Sequence, residues 1–440
     1  MHMRYGVISV AAIIFLWVPA VWGKIYIDID APAFQQFPIA VQDFKNLNAA
    51  EGAEGLTTWF ADEMGEILNI TGFFRVIARG AFLEDARSAG ITVTETNFGD
   101  WLTVGCDFLI KGGYSYDGTQ LSVELRLFDV VEGKLITGKR YWGALEDRRT
   151  IVIKFAEEVL LALTGERGVY NTKVAFVGRK GSVSDIYTVR FDGTGLTRVT
   201  NYQSLTLIPR WSPDGKRLSL TSYIHQNPDS YILDLKSGAR SILSNYQGLN
   251  MASSWSLDGK NILLTLSKDG NEEVYVMDLA TKRLHRLTYD PAIDVSPCWS
   301  PDGSKIAFVS NRSGSPQIFI MNSDGKNVRR LTFEGSYNTS PSWSPKGGKI
   351  AYEGSANGRF QLFVIDEDGS AFVQLTFEER GCESPSWSPD GRYLTFITER
   401  RGMKKLCIIN SNGLNLRIID GAARLDSLKN PAWSPCLDLH

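Results

Sequence analysis

Apolar and polar residues in the second half of the chain recur with a fixed period. Tryptophans mark the period, with four intervals of 44 residues and a last interval of 46, at Trp211, Trp255, Trp299, Trp343, Trp387 and Trp433. Two further registers keep the spacing of 44 residues, at Tyr187, Tyr231, Tyr275, Phe319, Phe363 and Cys407 and at Val199, Leu243, Leu287, Leu331, Leu375 and Ile419. A repeat of about 40 to 45 residues that holds several short strands is typical of β-propeller blades.

The unit around Trp299 predicts the four strands of one blade. Its apolar runs lie at residues 297–300, 305–310, 317–321 and 328–332, and polar turn residues separate them. The sequence Ser-Pro-Asp-Gly at 300–303 suits a tight turn, because Pro fixes φ at the second position and Gly is favoured at the fourth. Each Trp is expected to fill the wedge between neighbouring blades; a ligand cage made of the Trp side chains is the alternative.

The repeat predicts six blades and the way in which the ring closes. Sets of second, third and fourth strands begin near Lys173, Arg217, Asn261, Lys305, Lys349 and Tyr393. The first set has no Trp strand before it, and the Trp strand at 431–435 has no set after it. We therefore predict an all-β six-bladed propeller at 169–440, in which the C-terminal strand completes the first blade.

Residues 24–168 lack the repeat and predict a small α+β domain. Ile25, Ile27 and Ile29 alternate as in a half-buried strand, and apolar residues recur at helical spacing over 56–68 and 151–163. Runs at 108–116, 121–129 and 134–142 predict a strand meander. We expect this domain to pack on the propeller near residues 165–170.

The first 23 residues predict a secretory signal peptide. One arginine precedes an apolar run from Gly6 to Val18, and the pattern ends in small or compact residues, so cleavage is expected near Gly23. A membrane anchor is the alternative, but the run is short for a span. Export predicts a secreted protein that is not embedded in a membrane.

Composition argues against several classes of function. The chain has 440 residues with 47 basic and 49 acidic side chains, so it lacks the positive excess of nucleic-acid binders. Four histidines without metal-ligand spacing, and the absence of a G-x-S-x-G nucleophile motif, leave no recognisable catalytic constellation. The recurrent Asp214, Asp258, Asp302 and Asp390 are explained by turns. Five cysteines at wide spacing define no disulfide framework.

Several motifs together resemble the TolB family, the periplasmic propeller proteins of the Tol–Pal system. They are the Trp-Ser-Pro-Asp-Gly repeats, Asn-Ile-Thr-Gly-Phe-Phe-Arg at 69–75, Phe-Asp-Val-Val-Glu-Gly at 128–133, Leu-Thr-Gly-Glu-Arg-Gly at 163–168 and Pro-Ala-Trp-Ser-Pro at 431–435. The resemblance implies a monomeric, non-enzymatic adaptor that supports outer-membrane integrity and envelope constriction at division. It implies binding to the lipoprotein Pal, to the C-terminal domain of TolA and to further outer-membrane proteins. The resemblance implies that no cofactor is required. Whether the channel binds a cation such as calcium is left open.

The resemblance also implies where the two partners bind. The TolA segment falls on residues 24–32 of the mature N-terminus, namely Lys24, Ile25, Tyr26, Ile27, Asp28, Ile29 and Asp30 within it. A permanently packed strand is an equally good interpretation of this segment. The Pal site falls on loops that enter the innermost strands, with contacts expected at Thr206, Leu249, Asn250, Ala252, Asp294, Val295, Asn338, Thr339, Glu383 and Lys429. The alternative function is a secreted propeller hydrolase or lyase that uses mouth carboxylates such as Asp294 and Glu383.

Overall fold

A computed structural model describes residues 36–49, 53, 55–85 and 88–437 of the chain. The predicted signal peptide at 1–23 and the predicted N-terminal strand at 24–30 lie outside the described residues. Within those ranges, every helix is too short or too polar to span a bilayer. The described chain forms an α+β domain followed by a propeller.

The α+β domain contains one mixed sheet and three α-helices. Its strands are β1 (Phe37–Val41), β2 (Lys45–Ala49), β3 (Phe74–Val76), β4 (Phe108–Tyr116), β5 (Leu121–Asp129) and β6 (Lys134–Gly143). Its helices are α1 (Leu56–Ile70), α2 (Phe98–Thr103) and α3 (Arg148–Thr164). The sheet order is β3-β1-β4-β5-β6, with β2 also paired to β4. The predicted meander and both predicted helices are confirmed, and each helix extends a few residues beyond its predicted bounds.

The propeller consists of six four-stranded sheets, which we number as blades 1 to 6 in chain order. Blade 1 contains β7 (Lys173–Lys180), β8 (Val183–Arg190), β9 (Thr197–Arg198) and the late strand β30 (Ser427–Trp433). Blade 2 contains β10 (Thr206–Trp211), β11 (Arg217–Ser222), β12 (Asp229–Asp234) and β13 (Arg240–Ser244). Blade 3 contains β14 (Asn250–Trp255), β15 (Asn261–Leu266), β16 (Glu273–Asp278) and β17 (Leu284–Arg286).

The remaining blades follow the same order. Blade 4 contains β18 (Asp294–Trp299), β19 (Lys305–Ser310), β20 (Gln317–Asn322) and β21 (Arg329–Arg330). Blade 5 contains β22 (Asn338–Trp343), β23 (Lys349–Ala356), β24 (Arg359–Asp366) and β25 (Phe372–Gln374). Blade 6 contains β26 (Cys382–Trp387), β27 (Tyr393–Arg400), β28 (Met403–Asn410) and β29 (Arg417–Ile418).

The predicted ring closure is confirmed, because β30 pairs with β7 as the innermost strand of blade 1. The predicted strand bounds in blade 4 were less accurate. Its inner strand begins at Asp294 instead of Pro297, and its outer strand is paired only over two residues instead of five. The outer strand of a blade lies at the sheet edge and pairs with one neighbouring strand only, so a short stretch of pairing is sufficient there.

The Trp side chains pack between blades, as predicted. The Trp433 indole N–H donates to Thr172 Oγ1 at 2.9 Å, and the Trp387 indole N–H donates to the carbonyl of Ser342 in the preceding blade at 2.9 Å. Trp343 belongs to an apolar cluster that it shares with β19 and β20 of blade 4. These contacts favour the structural role over the ligand cage.

The turn after each Trp strand is held by its aspartate. In blade 4, Asp302 accepts hydrogen bonds from the hydroxyls of Ser300 at 2.5 Å and Ser304 at 2.7 Å. These bonds stabilise the carboxylate and lower the pKa of Asp302 to about 2. Gly303 takes a φ of 72°, which a residue with a side chain adopts at a cost. The recurrent aspartates therefore serve the turns.

Lys346 replaces this turn aspartate in blade 5 and reaches the α+β domain instead. Its ammonium lies 3.1 Å from a carboxylate oxygen of Glu166, which also accepts a hydrogen bond from Arg392 at 2.9 Å. Tyr393 donates from its hydroxyl to the carbonyl of Thr71 at 3.1 Å. The predicted contact near 165–170 is thus observed, and it lies at the end of the propeller where the inner strands finish.

Candidate interaction surface at the channel mouth

The inner strands of all six blades begin on one face of the ring, which we call the mouth face. The loops that lead from each outer strand to the next inner strand converge there. The contacts of the α+β domain with Lys346 and Arg392 lie on the opposite face, which we call the far face. The described residues of that domain therefore leave these loops uncovered. Loops gathered at one end of a propeller channel are a common position for recognition.

Five of the expected Pal-contact residues are buried and hold the mouth loops in place. They are Thr206, Asn250, Ala252, Asp294 and Asn338. The side-chain carbonyl of Asn250 accepts hydrogen bonds from the Ser244 hydroxyl at 2.6 Å and the Tyr246 amide at 2.9 Å. Asp294 accepts a hydrogen bond from Arg312 at 2.7 Å. Their buried side chains present no surface to a docked partner while this structure is kept, and their role in Pal binding stays a prediction.

The other five expected residues reach the surface of the mouth face. Leu249, Val295, Thr339 and Glu383 are partly exposed, and Lys429 is exposed. Glu383 accepts a hydrogen bond from the Lys404 ammonium at 2.7 Å. The two carboxylates of the enzyme alternative, Asp294 and Glu383, therefore lie in different blades and each has a basic partner.

Three exposed aromatic side chains form what we call the aromatic arc of the mouth face. Tyr289, Phe333 and Phe377 are 70%, 69% and 78% exposed, and they occupy equivalent positions after the outer strands of blades 3, 4 and 5. The guanidinium of Arg286 lies 4.7 Å from the Tyr289 ring, which holds that side chain from one side. Exposed aromatic side chains on adjacent loops are typical of protein interaction sites.

Apolar side chains continue from the aromatic arc toward the channel. Leu205, Ile293 and Tyr337 directly precede the inner strands of blades 2, 4 and 5 and are 44%, 43% and 42% exposed. Leu249 occupies the equivalent position in blade 3 and is partly exposed. The mouth face therefore presents apolar residues both at its rim and beside the channel.

One buried carboxylate lies beneath these loops. Glu353 of β23 accepts hydrogen bonds from the amide of Ser384 at 3.0 Å and the hydroxyl of Ser340 at 3.4 Å. Burial raises the pKa of Glu353 to about 7, and the nearby charge of Glu383 adds to this effect. The hydrogen bonds and Lys404 oppose the shift without cancelling it.

The described residues contain no group of three or more His, Cys, Asp or Glu side chains that could hold a metal ion. The expected TolA segment, residues 24–30, lies outside the part of the chain that the structure describes. Both the buried Glu353 and the aromatic arc went unrecognised in the sequence. The aromatic arc has a visible signal there, because Tyr289, Phe333 and Phe377 each follow a Leu-Thr pair at the repeat spacing.

Family models match both domains. The model of the TolB β-propeller domain matches residues 161–437, and the model of the TolB amino-terminal domain matches residues 25–136. The described helices and strands of both domains lie largely within these matches. The arrangement of an α+β domain followed by a propeller is therefore found in sequence and in structure.

Individual relatives agree with the family models. The Tol–Pal system protein TolB of Syntrophus aciditrophicus is 49% identical over 231 residues, which are 51% of this chain and 51% of that protein. The corresponding protein of Desulfosudis oleivorans is 38% identical over 48% of each chain. The chain thus spans about half the length of the curated relatives it matches. The crystal structure of TolB from Acinetobacter baumannii is 27% identical, with a TM-score of 0.79 over 91% of this chain and 97% of that one.

Proposed function

The chain belongs to the TolB family of the Tol–Pal system, and on that premise we propose that it is a non-enzymatic periplasmic adaptor. It binds the lipoprotein Pal at the mouth face and the C-terminal domain of TolA through residues 24–30. Linking these proteins supports outer-membrane integrity and envelope constriction at division.

The aromatic arc is the observation that carries the Pal proposal. Its three side chains are exposed on adjacent blades, on the face that the described part of the α+β domain does not contact. A folded protein has no structural reason to keep such rings in water at equivalent positions of three repeats, whereas a partner can bury them. Asp294 and Glu383 lie in different blades and each pairs with a basic side chain, so they do not form the paired carboxylates that hydrolysis would use.

Replacing Phe333 or Phe377 by alanine is expected to weaken Pal binding at least tenfold. Each change removes an aromatic anchor that becomes buried only in the complex, and such anchors contribute about 2 kcal/mol or more. The measurement is calorimetric titration of residues 24–440 with the soluble domain of Pal from the same organism.

Leu257→Ala is the matched control for this titration, because Leu257 is 73% exposed and follows the Trp of blade 3 on the far face. It should leave the affinity unchanged, and all three variants should melt near the wild-type temperature since exposed side chains add little stability. Affinity that survives both Phe changes, or that falls equally with Leu257→Ala, would remove the mouth face as the Pal site.

A chain that begins at Ala33 is expected to lose binding to the C-terminal domain of TolA while it keeps Pal. An extended N-terminal segment with alternating isoleucines is suited to adding a strand to a partner's sheet edge. Calorimetric titration with both partners checks this. Unchanged TolA affinity in the shortened protein would exclude the segment, and loss of both affinities would indicate damage to the fold.

A further inference from the structure

Arg210 is a large, charged side chain at a channel position where the other five blades carry a small one. It precedes the Trp of blade 2, and the equivalent residues of the other blades are Ser254, Cys298, Ser342, Ser386 and Ala432. All six line one cavity of about 460 Å³ inside the ring. Five small side chains leave open space at this level, and a single guanidinium enters it.

The guanidinium has no acidic partner among the described residues. Its hydrogen bond goes to the carbonyl of Pro209, the preceding residue, at 2.9 Å. Of the described residues that line the cavity, Arg210 is the only Lys, Arg, His, Asp or Glu. Burial lowers the pKa of Arg210 to about 10, so loss of water around the charge is not compensated by a carboxylate. Arg210 keeps part of its surface exposed in the channel, where its charge has no counter-charge, and an anion bound beside it would offset the cost of its partial burial.

Two hydroxyls that line the same cavity, in blades 3 and 6, can act as further donors. Ser254 accepts a hydrogen bond from the amide of Trp299 at 3.3 Å, and Ser386 accepts one from the amide of Trp433 at 3.0 Å. Each hydroxyl keeps its own hydrogen for another acceptor. Burial raises the pKa of the Cys298 thiol to about 12, so this side chain also stays neutral. The cavity therefore offers donors and one positive charge.

We propose that the channel holds a small oxyanion, such as sulfate or phosphate, on the guanidinium of Arg210 with the Ser254 and Ser386 hydroxyls as additional donors. This ligand differs from the calcium ion that the sequence left open, because calcium requires several oxygen ligands, preferably carboxylates, and a positive charge repels it. Arg210 lies fifth in β10, past the bulge near the mouth, so the site is suited to a free ion that diffuses in.

The test compares wild-type protein with Arg210→Ser, which gives blade 2 a residue that three other blades already carry at this position. Melting temperatures are measured in sodium chloride and in sodium sulfate at equal ionic strength. Sulfate at about ten times its dissociation constant should raise the wild-type melting temperature by about 2–4 °C. Arg210→Ser should show a rise smaller by this amount, because sulfate also stabilises folded proteins without binding a site. Arg401→Ser, which removes an exposed arginine of blade 6, should keep the wild-type rise.

Crystals of the wild-type protein soaked in selenate give a second readout that does not depend on folding of the variant. An anomalous peak within hydrogen-bond distance of the Arg210 guanidinium supports the site. An empty channel in selenate overturns the proposal, and so does an equal response of wild type and Arg210→Ser to sulfate. The outcome is independent of Pal binding, which is measured on other residues.

Discussion

Trp433→Ala is expected to lower the free energy of unfolding by about 3–5 kcal/mol, the usual cost of removing a large aromatic side chain from a core. Trp433 is 6% exposed and stacks on Tyr393 with ring centroids 6.1 Å apart. It belongs to β30, the strand that closes blade 1, and its indole N–H bonds to Thr172. The loss should appear in urea denaturation followed by circular dichroism.

The matched control is Trp142→Ala in β6, because Trp142 is 60% exposed and the same atoms are removed. Its effect should stay within about 0.5 kcal/mol. A chain that ends before Asn430 goes further, since it loses the pairing of Ala432 with Ala175. That chain should melt well below the wild type and be cleaved readily by protease. An unchanged melting temperature would show that β30 does not hold the ring shut.

The architecture could be predicted because it repeats. Each unit contains a Trp, a turn after it and apolar strands between turns, and the unit recurs about every 44 residues. The same secondary structure is therefore predicted several times, and a wrong assignment in one unit is corrected by comparison with the others. The unpaired first and last segments then allow only one arrangement of a closed ring. The α+β domain lacks that redundancy, but the three strand-like runs at 108–116, 121–129 and 134–142 were sufficient to identify its meander.

Side-chain burial at the mouth could not be predicted from the sequence, because the position of a residue near a loop does not fix which way its side chain points. Asn250 and Asp294 were expected to contact a partner from loops, and the structure places each at the first position of an inner strand with a buried side chain. The Asn250 side chain bonds Tyr246 in the loop before β14, whereas Asp294 bonds Arg312 in the loop between β19 and β20. Polar residues often take such roles where the chain turns. Only the packed structure separates a loop anchor from a contact residue.

Residues that depart from the repeat mark positions where one blade makes a contact that the other blades lack. Lys346 replaces a turn aspartate and pairs with the α+β domain. Arg210 replaces a small residue and enters the channel. Glu353 takes a position that other blades fill with Val309, Thr265 or Ile397. The repeat predicts the frame, and comparing units position by position locates the residues that the frame does not explain.

Glu353→Gln is expected to change how stability depends on pH by up to about 3 kcal/mol. Burial raises the folded-state pKa of Glu353 to about 7 from an ordinary value of 4.5, so the folded protein keeps a proton that the unfolded chain has released. This contribution to stability is complete below about pH 4.5 and is lost as the pH rises through 7. Glutamine cannot ionise, so the variant should gain stability relative to wild type over this range.

The measurement is urea denaturation of both proteins at several values between about pH 4.5 and 8, because taking their difference cancels the groups that titrate equally in each. Glu379→Gln, which removes an exposed carboxylate from the loop that leads to β26, reports the effect of charge loss alone. If the difference in unfolding free energy between Glu353→Gln and wild type does not change with pH, the pKa of Glu353 is the same in the folded and unfolded protein. In that case the Ser384 amide and Ser340 hydroxyl, which donate to it, would outweigh its burial beneath the mouth.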